Sequence, residues 1–215
     1  MTSLGSRKVS LIALMSAVSI VVAYSKGLAL ASLPGVIEFM TVLIFITGYC
    51  FGALVGGSVG AIALTIYMLI PSPFAHPAAW LFNTSPILLV VMALLGGMFG
   101  VGGAYTAKFT KPGREKRFTL TLAVVGLILT FVYDIMSSVG FALAYPAFTT
   151  IWKSIIYTFI PLFLPYPPII HTVTNAIVFA LVAPVVITAI KALPSMGEAE
   201  RTEEPELVRL EAPFE

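Results

Sequence analysis

Between Val9 and Leu193 the chain carries eleven charged side chains, and six of them crowd into the stretch from Lys108 to Arg117. The other five, Lys26, Glu38, Asp134, Lys153 and Lys191, are scattered over all the rest. A water-soluble domain is about one-quarter charged. This chain is 10% charged and 59% hydrophobic, with a mean hydropathy of +1.01. Apolar runs of such length belong in lipid, which excludes an ordinary cytosolic enzyme and a secreted disulfide-stapled module.

Glycines, prolines and charge clusters divide the apolar mass into six segments, close to residues 9–30, 36–52, 54–70, 86–107, 118–144 and 169–192. Each approaches the roughly 17 to 25 residues that one crossing needs. The second and third meet through Gly48, Gly52, Gly56 and Gly57. A single helix from 36 to 70 would be about 52 Å long, too long for one crossing, so the glycines are read as a turn. The expected fold is all-α, an integral membrane bundle of six transmembrane helices in residues 1–194. Arg7 and Lys8 precede the first apolar run, but it lacks a convincing small-x-small cleavage site before Pro34 and more spans follow it, so that run is read as a retained helix.

Basic residues in short loops stay cytoplasmic. Arg7, Lys8, the loop from Lys108 to Arg117 and Lys191 all fall on one side if the spans number six, which puts both termini in the cytoplasm. Residues 195–215, with seven Glu against Arg201 and Arg209, read as a solvated, disordered acidic tail. The remaining basic excess lies along the membrane, so no nucleic-acid partner is expected. The two longer outer loops, 71–85 and 145–168, are aromatic and rich in proline. They read either as caps on a pocket mouth or as an aromatic belt anchoring helix ends. Residues 151–164 are apolar yet too short to cross, as an interfacial or re-entrant helix would be.

An ionisable group inside a span costs at least about 2.5 kcal/mol at the bilayer centre, so it faces protein or a watery cavity and marks a functional site by default. Asp134, in TFVYDIMSSVGFA, is such a group, and Ser137 and Ser138 share its helical face. His171, Thr172, Thr174 and Asn175 cluster at the start of the last span, with His171 and Asn175 on one face. The fifth span runs outward and the last runs inward, so Asp134 and Asn175 are expected at similar depth in the outer half. They form a site open to the outside, or bond each other across the helices. Further candidates for the solute site are Glu38, Trp80 and Asn83, with Lys26 and Lys153 also near outer loops. Each is also readable as a solvated loop residue or an anchor. Trp80 and Phe82 could stack on a flat ring.

Ala13 and Ala17 make an A-x-x-x-A step on the first span, a spacing that lets another helix approach closely. Cys50 is the one cysteine, so no disulfide within the chain or multi-cysteine metal site is possible. The chain has no phosphate-binding, dinucleotide-binding, zinc-protease or nucleophile-elbow motif. ATP-driven work would therefore need another subunit, and no catalytic residue, metal or cofactor is assigned.

Six short helices, the alanine step, the TGYCFGALVGGSVGA junction, YDIMSS and HTVTNAIVFALVAPVVITAIKAL together resemble the substrate-binding S components of energy-coupling factor (ECF) vitamin transporters. The resemblance covers about residues 9–193. It implies a plasma-membrane, multi-pass subunit that captures a water-soluble vitamin or related micronutrient from outside. It further implies assembly with a transmembrane T component and two cytoplasmic ATPases. Carried over by residue, Ala13 and Ala17 become the docking surface for the T component. Asp134, Ser137, Ser138, His171 and Asn175 become the pocket. The alternatives are a proton-coupled secondary transporter that titrates Asp134 and, further off, a membrane-embedded enzyme using Asp134 and His171.

Overall fold

The computed structural model describes residues 5–29, 37–69, 85–112, 116–144, 150, 152–153 and 168–193. Six helices order the described residues: α1 (Ser6–Ala29), α2 (Met40–Phe51), α3 (Ala53–Leu69), α4 (Pro86–Phe109), α5 (Lys116–Ala144) and α6 (Pro168–Ala192). Among the described residues there is no strand. Four helices, α1, α4, α5 and α6, are long and apolar enough to cross a membrane. Their outward faces carry large apolar side chains, among them Leu14, Val21, Leu94, Leu120, Leu181 and Val185. A water-soluble monomer rarely leaves so much apolar surface uncovered. By length and composition this is a membrane protein.

The helix bounds follow the expected segments within a few residues, with one difference. α2 begins at Met40 and spans 12 residues, about 18 Å, while α3 spans 17, about 26 Å. Both are shorter than the roughly 30 Å hydrocarbon core of a bilayer. The turn between them falls at Gly52, whose φ of 92° lies in the left-handed region that costs a side chain dearly.

Glycine brings the middle helices into backbone contact. A Cβ on Gly60 would strike the carbonyl of Gly96, and one on Gly96 the carbonyl of Gly60. Gly56 and Gly100 exclude side chains from each other in the same way, and Gly48 of α2 presses on both. The pairs are one turn apart on α3 and α4, a G-x-x-x-G step meeting its like. Leucine tails in lipid are no less solvated than in protein, so such van der Waals contact is what holds helices together there. Tyr49 ties α2 to the end of α4 by donating to the Thr110 carbonyl at 3.0 Å. At the opposite end Tyr24 of α1 donates to the Tyr67 carbonyl of α3 at 3.3 Å.

α5 and α6 run antiparallel in a constant register. Asp134 meets His171, Thr130 meets Asn175 one turn further along, and Gly126 leaves room for the ring of Phe179 one turn beyond that. The same steps of four continue to Leu122 and Ala183, and to Phe118 and Ile187, all buried. Rows of every fourth residue from both helices therefore face each other, as in ridge-into-groove packing. The rungs are polar toward the start of α6 and apolar toward its end.

Candidate functional site

Asp134 lies eighteen residues into α5, about 27 Å along the helix from Lys116 and the basic connection that precedes it. It reaches the first turn of α6, where unpaired amides and the helix dipole favour a negative charge. Its side chain is buried, at 8% exposure. Both carboxylate oxygens are engaged. Oδ1 lies 2.9 Å from Nδ1 of His171, and Oδ2 accepts a hydrogen bond of 2.8 Å from the Thr172 hydroxyl. The donor in the His171 contact depends on the tautomer of the ring. The Tyr133 ring meets the imidazole edge-on with centroids 6.4 Å apart.

One rung deeper, Asn175 is fully buried. Its Nδ2 donates to Thr130 Oγ1 at 2.8 Å and to Thr41 Oγ1 of α2 at 3.4 Å. Its Oδ1 has no partner among the described residues. Asp134 and Asn175 are thus neighbours on successive rungs, one turn apart in depth, and each bonds other side chains. The offset follows from the antiparallel register, which sets Asp134 opposite His171.

Ser137 and Ser138 share the face of Asp134, but their hydrogens turn back to the helix. Both hydroxyls donate to the Asp134 carbonyl, at 3.2 and 2.6 Å. Serine satisfies itself this way inside a helix when no better acceptor faces it. Glu38 is half-buried at the start of α2, where Oε1 accepts from the Met40 amide at 3.3 Å. It lies at the end of the bundle that also holds Tyr67, Tyr133 and Asp134. Trp80 and Asn83 lie outside the described residues. Lys153 is exposed, and its amide donates to the Thr150 hydroxyl at 3.2 Å, a helix-start contact. Of residues 151–164, Trp152 and Lys153 are helical and the rest lie outside the described residues.

Ala13 and Ala17 are exposed on α1, on a face they share with Leu14, Val18 and Val21. The opposite face of α1 buries Ser16 and Ser19, whose hydroxyls have no partner among the described residues.

Three site residues escaped the sequence reading: Thr130, Thr41 and Tyr133. Thr130 stands one turn before Asp134 in LTFVYD, a legible signal, and Tyr133 is its immediate neighbour. Thr41 is 134 positions from Asn175, and no spacing rule links them. Among the described residues no three His, Cys, Asp or Glu side chains converge on a point that could hold a metal ion. The arrangement brings a carboxylate, an imidazole, a carboxamide and hydroxyls together, groups that can bond a small polar molecule or pass a proton. No family model, curated protein or solved structure matches this chain.

Proposed function

We propose that this protein is a membrane-embedded substrate-binding subunit that captures a water-soluble vitamin or related micronutrient from outside the cell and delivers it with an ATP-driven ECF module. The observation that carries the reading is the buried polar ladder of α5 and α6, which leaves the Asn175 carboxamide oxygen without a partner among the described residues. Polar groups this costly persist in an apolar bundle where function needs them. On this reading all six helices span the plasma membrane and both termini are cytoplasmic, so the ladder sits in the outer half. Asp134, His171 and Asn175 line the pocket, with Glu38, Trp80 and Asn83 near its mouth. Ala13 and Ala17 present the face to which a transmembrane T component docks, and two ATPase subunits supply the energy. A binding subunit cannot drive uphill flux by itself, because a ligand shifts an equilibrium only by its differential affinity.

The decisive experiment purifies the protein, identifies retained small molecules by mass spectrometry and measures uptake of the identified solute into proteoliposomes. Uptake that needs the T component and ATP supports the reading. Uptake by this protein alone, driven by a proton gradient, overturns it. The second outcome would favour a proton-coupled transporter, the reading to which the direct contact of His171 with Asp134 lends support, since such pairs form proton relays in membranes.

A further inference from the structure

We infer that the solute is recognised at the carboxamide oxygen of Asn175, and that the site therefore takes a planar, N–H-bearing, non-anionic molecule in preference to a carboxylate or phosphate of similar shape. This rests on the capture reading above and adds the chemical class of the solute.

The inference comes from counting which hydrogen-bonding valences are already used. Asp134 has both oxygens engaged, by His171 and Thr172. Its role is then to position the imidazole of His171, whose Nδ1 lies 2.9 Å from Oδ1. The hydrogens of Ser137, Ser138 and Thr172 are all committed to Asp134 atoms. Both amide hydrogens of Asn175 have hydroxyl acceptors, Thr130 and Thr41. Among the described residues, what remains open is an acceptor, Oδ1, fully buried and one turn below the imidazole. Turning the amide over would exchange this one orphaned acceptor for two orphaned donors, a worse account of buried polar groups.

A buried acceptor without a donor weakens the empty protein, and a solute N–H placed there restores the bond. An incoming carboxylate or phosphate would bring more acceptors to a site that already holds a carboxylate. Among the described residues, the ionic partner of Asp134 is His171, with no lysine or arginine beside it. The Tyr133 ring next to the imidazole suits a flat molecule.

Benzamide and methyl benzoate make the test, because both are neutral, planar and of similar size, and only the amide offers N–H donors. Binding of each to the detergent-solubilised full chain is measured by calorimetry. Benzamide is expected to bind about tenfold tighter or more, a ratio that corresponds to about 1.4 kcal/mol. Asn175→Leu should erase that preference, while Asn175→Asp, which keeps an acceptor in place, should retain it. Far-ultraviolet circular dichroism and a single gel-filtration peak establish that each variant is folded. If the Leu variant does not fold, Thr130→Val serves instead, since it releases the amide and should also cut the preference. Equal or tighter binding of methyl benzoate overturns the inference and leaves the capture reading standing. So does a co-purifying solute without an N–H group. If neither probe binds, the inference falls, and the capture reading is judged separately by the retained solute and its uptake.

Discussion

Asn175 of α6 donates to the hydroxyl of Thr130 on α5 at 2.8 Å, one turn deeper in the bundle than the contact of His171 with Asp134. The bond belongs to a register in which every fourth residue of one helix meets every fourth residue of the other. Because the two residues are fully buried, their bond has no competing water. Thr130→Val and Asn175→Ala should each destabilise the protein by about 1 to 3 kcal/mol. The double variant should lose less than the sum, with a coupling of about 1 kcal/mol. Unfolding of the purified single and double variants measures this cycle, and strict additivity would show that the contact contributes nothing.

Asp134→Ala and His171→Ala should weaken solute binding while the protein stays folded. Removing the carboxylate leaves the imidazole free to turn, and removing the imidazole leaves a buried carboxylate with the Thr172 hydroxyl as its remaining side-chain donor. The second change should cost more stability, because an uncompensated buried charge is expensive. Calorimetric titration with the co-purifying solute, beside thermal melts, separates the two effects. Normal binding in both variants would remove the pocket from this location.

The glycine contacts of α3 and α4 make a sharper steric test. Gly60→Ala or Gly96→Ala sets a methyl group against a backbone carbonyl and should destabilise by about 1 to 3 kcal/mol or more. Gly97→Ala, whose added carbon would meet the Gly57 carbonyl at an ordinary 3.6 Å, should change stability by less than about 0.5 kcal/mol. The melting temperatures of the three variants should separate accordingly.

Ala13→Trp and Ala17→Trp should abolish uptake and spare solute binding. Both alanines are exposed, so the larger side chain fits the isolated subunit without repacking. Uptake in whole cells against binding in detergent is the relevant comparison, and unimpaired uptake in both variants would remove α1 as a docking face.

On the buried side of the same helix, Ser16→Ala and Ser19→Ala should be neutral or should stabilise by up to about 1 kcal/mol. Their hydroxyls are buried without a described partner, so the substitution removes an unsatisfied group. A loss of more than about 1 kcal/mol in a thermal melt would mean that these hydroxyls have a bonded role.

Much of this was legible in the order of residues. Apolar runs interrupted by charge and proline place the helices, because a bilayer tolerates no unpaired backbone and few charges, so each crossing needs a long uncharged stretch. Asp134 is conspicuous for the same reason. The turn of the second and third segments was legible in its glycines. The G-x-x-x-G spacing of Gly96 and Gly100 was equally visible in LLGGMFG, and it marks the closest helix contact of the bundle.

What the linear chain could not decide is which polar groups face each other. Four-residue spacing says that Ser137 and Ser138 share a face with Asp134, yet a hydroxyl on a helix can bond its own backbone as readily as a neighbour, and both do so here. The spacing of His171 and Asn175 puts both toward α5, but the register of the two helices selects Asp134 for one and Thr130 for the other. That register is set where Gly126 admits the ring of Phe179, two turns from the carboxylate. Thr41 joins the site from a helix more than a hundred residues away, a contact that exists because α2 is held against its neighbours by glycine. Composition determined the solvent in which this chain folds and its short-range elements. Packing alone determined the partners, since hydrogen bonds in a membrane interior go to whatever side chain close contact places opposite.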